Sequence, residues 1–124
     1  MHEAQTAAYA KGTEKGSNLQ RYAADKALSK IRSEEFDNKQ TGIVFQGAPQ
    51  VTQSQVTAID LEQSPKKATV QECVDTSHWT PVQKNGEKVD VTDSTRKFVV
   101  TESLRTIGAD WFVVDYELDK SRPC

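Results

Sequence analysis

Apolar positions change their spacing once along the chain. Between Leu19 and Ile31 the apolar residues Leu19, Tyr22, Ala23, Ala27, Leu28 and Ile31 recur at three- and four-residue intervals, the period of one helix face. Beyond Gly42 the spacing falls to two, as in Ala68, Val70 and Val74 alternating with Thr69, Gln71, Cys73 and Asp75. The first pattern predicts helices and the second predicts strands. An alanine-rich stretch, Glu3 to Lys11, reads as a short first helix stopped by Gly12. Ser17 is the expected start of a second helix, with Gln20 in capping-box position, Phe36 closing its apolar stripe and Gly42 ending it. Strands are expected at Ile43–Phe45, Val51–Leu61, around Ala68–Asp75, at Arg96–Ile107 and at Trp111–Leu118.

The punctuation between these strands points to hairpins. Gln63-Ser64-Pro65 and Gly108-Ala109-Asp110 are turn sequences, and Asn85-Gly86 between Val82 and Val89 is a two-residue hairpin signal. No stretch between strands is long and periodic enough for a crossover helix, so an antiparallel meander is expected over βαβ units. Helices and sheet each have one apolar face and must share a core. The simplest solution wraps a strongly bent sheet around the helix that begins at Ser17, which leaves a conical cavity. A length of 124 residues fits this as a single domain over residues 1–124.

Composition removes several classes. Eighteen acidic and sixteen basic residues are interspersed, net charge −2, and the densest basic spot is Lys66-Lys67 beside a turn proline. A duplex-binding surface needs a basic stripe, so nucleic acid is not an expected partner. No apolar run approaches the ~20 residues that span a bilayer. The start, Met1-His2-Glu3, has no basic segment followed by an apolar stretch. A trimmed mature sequence is expected, with any leader or membrane tether outside it.

Two cysteines, Cys73 and Cys124, set the compartment argument. A bond between them ties down a chain end and closes about 51 residues, which stabilises by roughly 4 kcal/mol in the chain-entropy picture. That is a large share of a domain stability of about 5–15 kcal/mol. Such a bond persists in oxidising surroundings, which gives an extracytoplasmic protein; the competing reading is two unpaired thiols in a cytosolic one. With no CxxC and no histidine cluster, the pair makes no four-ligand metal site, and neither metal nor cofactor is expected.

The set Gln71-Glu72-Cys73-Val74-Asp75-Thr76-Ser77-His78-Trp79, the Asn85-Gly86 turn, Arg96 to Thr106, Gly108-Ala109-Asp110-Trp111-Phe112-Val113-Val114 and the final Cys124 carries a resemblance. In this order the chain resembles the NTF2-like (cystatin-like α+β cone) superfamily, in particular small secreted or lipid-anchored actinobacterial proteins of unknown function. The resemblance implies the cone fold, export or lipoprotein anchoring, and association into a homodimer through the open sheet. It implies no activity. The Asp/His pair that NTF2-like enzymes place inside the cone has no matching positions here.

Candidate chemistry is sparse. Asp75, Ser77 and His78 are the residue types of a hydrolytic triad, but strand alternation would send His78 to the opposite face from the other two, and no glycine-rich elbow is present. Asp60, Asp75 and Asp115 lie in expected strands, where an inward-facing carboxyl would be a candidate base. Tyr22, Asp75, His78, Trp79 and Trp111 are the expected lining of a ligand pocket, with Tyr9, Tyr116, Phe45 and Phe98 as further aromatic wall or as core. The favoured reading is a non-enzymatic binding module for a protein or a small apolar ligand. The alternative is a cone-pocket isomerase or hydrolase acting on a small hydrophobic molecule.

Overall fold

In a computed structural model, residues 2–11, 17–83, 85 and 96–124 are described. Helix α1 spans His2–Lys11, a single 3-10 turn spans Leu19–Arg21, and α2 spans Asp25–Thr41. Six strands follow: β1 Ile43–Gly47, β2 Gln50–Asp60, β3 Lys67–Asp75, β4 Trp79–Gln83, β5 Lys97–Ile107 and β6 Asp110–Pro123. The class is α+β with antiparallel pairing throughout the named strands, as the change of period predicts.

The expected second helix is broken. Its first turn is the 3-10 segment, and the chain then extends through Tyr22–Ala24 before α2 starts. There Ala23 forms a parallel bridge with Val113: the Ala24 amide donates to the Val113 carbonyl (3.0 Å) and the Val113 amide donates to the Tyr22 carbonyl (2.8 Å). Pairing with β6 supplies the backbone partners that an unbroken helix would have supplied, so tertiary structure overrides the periodic pattern. Ser17 precedes the short turn's N-cap, Asn18, and its Oγ accepts from the Leu19 amide. Gly42 ends α2 in the left-handed conformation, as expected.

The strands form two sheets, not one wrapped sheet. β2-β3-β5-β6 is a four-stranded sheet in meander order, and β4 leaves that order to pair with β1. Neither sheet is strongly curled. β5 and β6 are joined by the two-residue turn Gly108-Ala109, with Gly108 at φ 64°. Asn85 follows β4, whereas Gly86 and Val89 of the expected hairpin lie outside the described residues.

Register assigns the sheet faces. Val74 pairs with Phe98, Glu72 with Val100, Val70 with Glu102 and Ala68 with Leu104, so these residues share one face. The helices pack there: Ala8, Ala27 and Ile31 are wholly buried against Val74, Phe98, Val100, Val113 and Tyr116. Cys73, Gln71, Val99 and Thr101 point to the other face. Cys73 is bonded to Cys124 (S–S 2.01 Å), which bears out the expected pairing. Phe36 does not close the α2 stripe; it is 62% exposed, because the covered face continues from Ile31 through half-buried Glu35 and Asn38 and Phe36 lies off it.

Candidate functional site

The expected pocket residues do not converge. Asp75 and His78 sit at the end of β3, whereas Trp111 pairs with Thr106 and Tyr22 bonds through its carbonyl to Val113, both at the opposite end. Asp75 pairs with Lys97, so nine residues of β5 separate the two groups, roughly 30 Å at ~3.3 Å per residue. Tyr22 is 48% exposed, because the break in the helix turns it away from the core. Trp111 is exposed beside the β5–β6 turn.

Asp75, Ser77 and His78 are brought together, though not as a triad. Asp75 ends β3 while Ser77 and His78 lie in the turn after it, where strand alternation does not hold, and the Ser77 hydroxyl donates to Asp75 Oδ1 (2.6 Å). His78 Nδ1 stands 3.2 Å from the Ser77 hydroxyl oxygen, and the Ser77 amide also donates to Asp75 Oδ1 (2.9 Å). Serine lies between acid and imidazole and gives its one proton to the carboxylate. That order leaves no base to activate it. The two Ser77 hydrogen bonds hold the Asp75 carboxyl below the usual carboxylate range, the reverse of what a general base needs. The group is a solvent-exposed Asx turn.

Asp115 is likewise not an inward-facing base. Lys30 Nζ reaches its Oδ1 at 2.6 Å, and this hydrogen bond holds its carboxyl below the usual carboxylate range. Among the described residues the buried carboxylates are Glu72 and Glu102, both on the helix-facing side of the sheet. Alternation with Val70, Val74 and Val100 is the signal that would have placed them there.

Trp79 is the one expected residue that joins the interior. Its indole stacks on Tyr9 (5.4 Å, 13°) and tilts against Phe45 (4.7 Å), tying α1 to the β1–β4 ribbon. Tyr9 donates to the Glu34 carboxylate. Burial, with the Glu34 charge close by, pushes the phenols of Tyr9 and Tyr116 above the usual tyrosine range. Between these rings and the sheet a cleft of about 70 Å³ remains, lined by Gln5, Glu34, Val74, Trp79, Phe98 and Tyr116. That is room for about five waters, at ~10–15 Å³ each, and far below the ~300 Å³ at which ligand pockets begin. Aromatic side chains fill the space that a cone-pocket enzyme would use.

The edges of the four-stranded sheet are treated differently. On β6, Tyr22–Ala24 covers Val113, and Lys30 Nζ donates to the Tyr116 carbonyl (2.7 Å). The Tyr116 amide donates to Asp115 Oδ1 (2.9 Å). At Val113 and Tyr116, backbone groups that would template another strand are thereby occupied. On β2, every residue from Gln50 to Ile59 is exposed, and none of them is charged. Its register places Val51 opposite Val74, Val56 opposite Val70 and Ile59 opposite Ala68, on the helix-facing side but beyond the helices. Val51, Val56 and Ile59 are 39%, 57% and 59% exposed, and Leu61 just past the strand is 54% exposed. This uncovered edge with its apolar row is the candidate interaction surface. Sequence reasoning recognised the strand but not that no helix reaches it.

No family model and no curated protein matches the chain. Among solved structures, the intermembrane space region of the chloroplast protein ARC6 is similar, with a TM-score of 0.55 and 10% identity. The match covers 94% of this chain and 86% of that one. At such identity the likeness is one of fold alone.

Among the described residues, no cluster of three or more His, Cys, Asp or Glu is arranged to hold a metal ion. No described helix is long and apolar enough to cross a membrane.

Proposed function

We propose that this chain is an extracytoplasmic, non-enzymatic interaction domain that recruits a protein partner through the β2 side of its larger sheet. The observation that carries the reading is the contrast between the two edges. β6 is covered at Val113 and Tyr116 by Tyr22–Ala24 and Lys30, whereas β2 keeps an uncharged strand and a row of exposed Val51, Val56 and Ile59. An open, apolar edge is a liability in a protein that has no use for it.

Location outside the cytoplasm rests on the Cys73–Cys124 disulfide, which needs oxidising surroundings. That the ARC6 region of similar fold lies in an intermembrane space agrees with it. NTF2-like kinship belongs to the same proposal, supported by helices followed by an antiparallel meander; tethering to a membrane by a lipid-anchored segment goes with it.

The test is site-specific photo-crosslinking in cells that export the protein, with the probe at Val56 or Ile59 and, as a control, at Gln71 on the opposite face. Discrete heavier adducts from the first two positions and none from Gln71 are expected. Equal labelling from both faces, or none from either, would refute the reading.

A further inference from the structure

We propose that a second copy of this chain docks on β2, antiparallel about a two-fold axis through Ser54, joining two four-stranded sheets into one. The inference rests on the reading of β2 as the interaction surface and names its occupant.

The β2 sequence is self-complementary about Ser54. Antiparallel pairing centred there sets Ser54 against Ser54 and Gln53 against the second copy's Gln55. Within the regular stretch the cross-strand pairs are Ser–Ser and Gln–Gln. With no charge between Gln50 and Ile59, no like charges meet, the usual reason that an edge strand refuses its own copy.

The faces agree as well. Ser54 pairs with Glu72, so it belongs to the helix-facing side together with Val51, Val56 and Ile59. A two-fold axis perpendicular to the sheet keeps both helix layers on one side and lays the two exposed apolar rows next to each other.

Two irregularities of β2, between Val51 and Gln53 and between Val56 and Ala58, bracket the regular stretch Gln53–Val56. They confine the new ladder to a short centre, so association should be reversible and dependent on concentration.

Sedimentation velocity over a concentration series, on the oxidised chain, reads the oligomeric state, and a monomer–dimer equilibrium is expected. The double variant Q53K/Q55K sets lysine opposite lysine at two pairs and should weaken association by on the order of tenfold or more. Q53K/Q55E sets lysine opposite glutamate at the same positions and should restore it. Circular dichroism checks that both variants fold. Ser54→Cys should form an intermolecular disulfide faster than Gln55→Cys, because only position 54 meets itself across the axis.

A monomer at every soluble concentration overturns the proposal, as does a dimer indifferent to both double variants. If the chain is monomeric while crosslinks at Val56 reach another protein, the interaction surface stands and self-pairing falls.

Discussion

Gly47 and His78 approach so closely that a Cβ on Gly47 would stand 1.9 Å from the His78 carbonyl oxygen. Gly47 also has φ 83°, a conformation that L side chains rarely adopt. It pairs with Trp79 at the end of β1, and the next amide, Ala48, donates to that same His78 carbonyl at 3.1 Å. The β1–β4 ribbon is closed at this point. Gly47→Ala should therefore destabilise by about 1–3 kcal/mol through backbone strain alone, with the clash adding to it. Thermal unfolding should show a fall of several degrees or more. A melting temperature equal to wild type would mean that the two strands do not meet as described.

Reducing Cys73–Cys124 should cost about 4 kcal/mol, the chain-entropy value for a separation of 51 residues, less any relaxation of the native state. The measurement is denaturant unfolding of the oxidised chain against the Cys73→Ser/Cys124→Ser variant. No difference in midpoint would mean that the reduced ensemble is already restricted.

Acid should destabilise the fold through Asp115 and Asp75. Both carboxyls are held below the usual range, the first by Lys30 and the second by Ser77. Carboxyls depressed in the folded state stabilise above the unfolded value, about 3.9 for Asp, and that stabilisation is lost as pH falls through the lower folded values. Asp115→Asn should flatten this acid limb and, by releasing Lys30, uncover the β6 edge at Tyr116. Increased aggregation of Asp115→Asn at neutral pH is the second expected readout.

Alkali should act in the opposite sense through Tyr9 and Tyr116. Burial raises both phenols, so they stay protonated in the folded state where the unfolded chain would ionise. Stability is then intact below the unfolded tyrosine value, about 10, and falls as pH rises beyond it. Ultraviolet titration of the chain's three tyrosines should show two that ionise only as the protein unfolds. Complete titration with the fold intact would contradict their burial.

Much of the fold was legible before any coordinates. Alanine content placed α1, and the change from a helical period to alternation placed α2 and most of the strands, because each of these buries one face and its apolar residues must follow its geometry. The break at Tyr22–Ala24 was not legible: Ala23 occupies an apolar position in either conformation, and only Val113, ninety residues away in the chain, decides between them. The path of β4 depended on its partner in the same way. Val82 alternates correctly for a meander, yet it pairs with Val44 of β1.

The candidate site was less legible. Aromatic and titratable residues were gathered into one pocket on the assumption of a single wrapped sheet, and Tyr22 and Trp111 went to the other end once β6 fixed their place. The open edge was missed for a simple reason. Alternation says which residues of β2 share a face, but not how far a helix extends over that face.

The bond between Cys73 and Cys124 also has a mechanical consequence. Load applied to the chain at residue 124 passes to β3, which lies between β2 and β5, and not to β6 alone. Peeling β6 from the margin, the easiest way to unravel a sheet from that side, is blocked for as long as the sulfurs stay joined. In its oxidised form the domain can bear tension through residue 124 while its opposite margin, β2, remains available to pair.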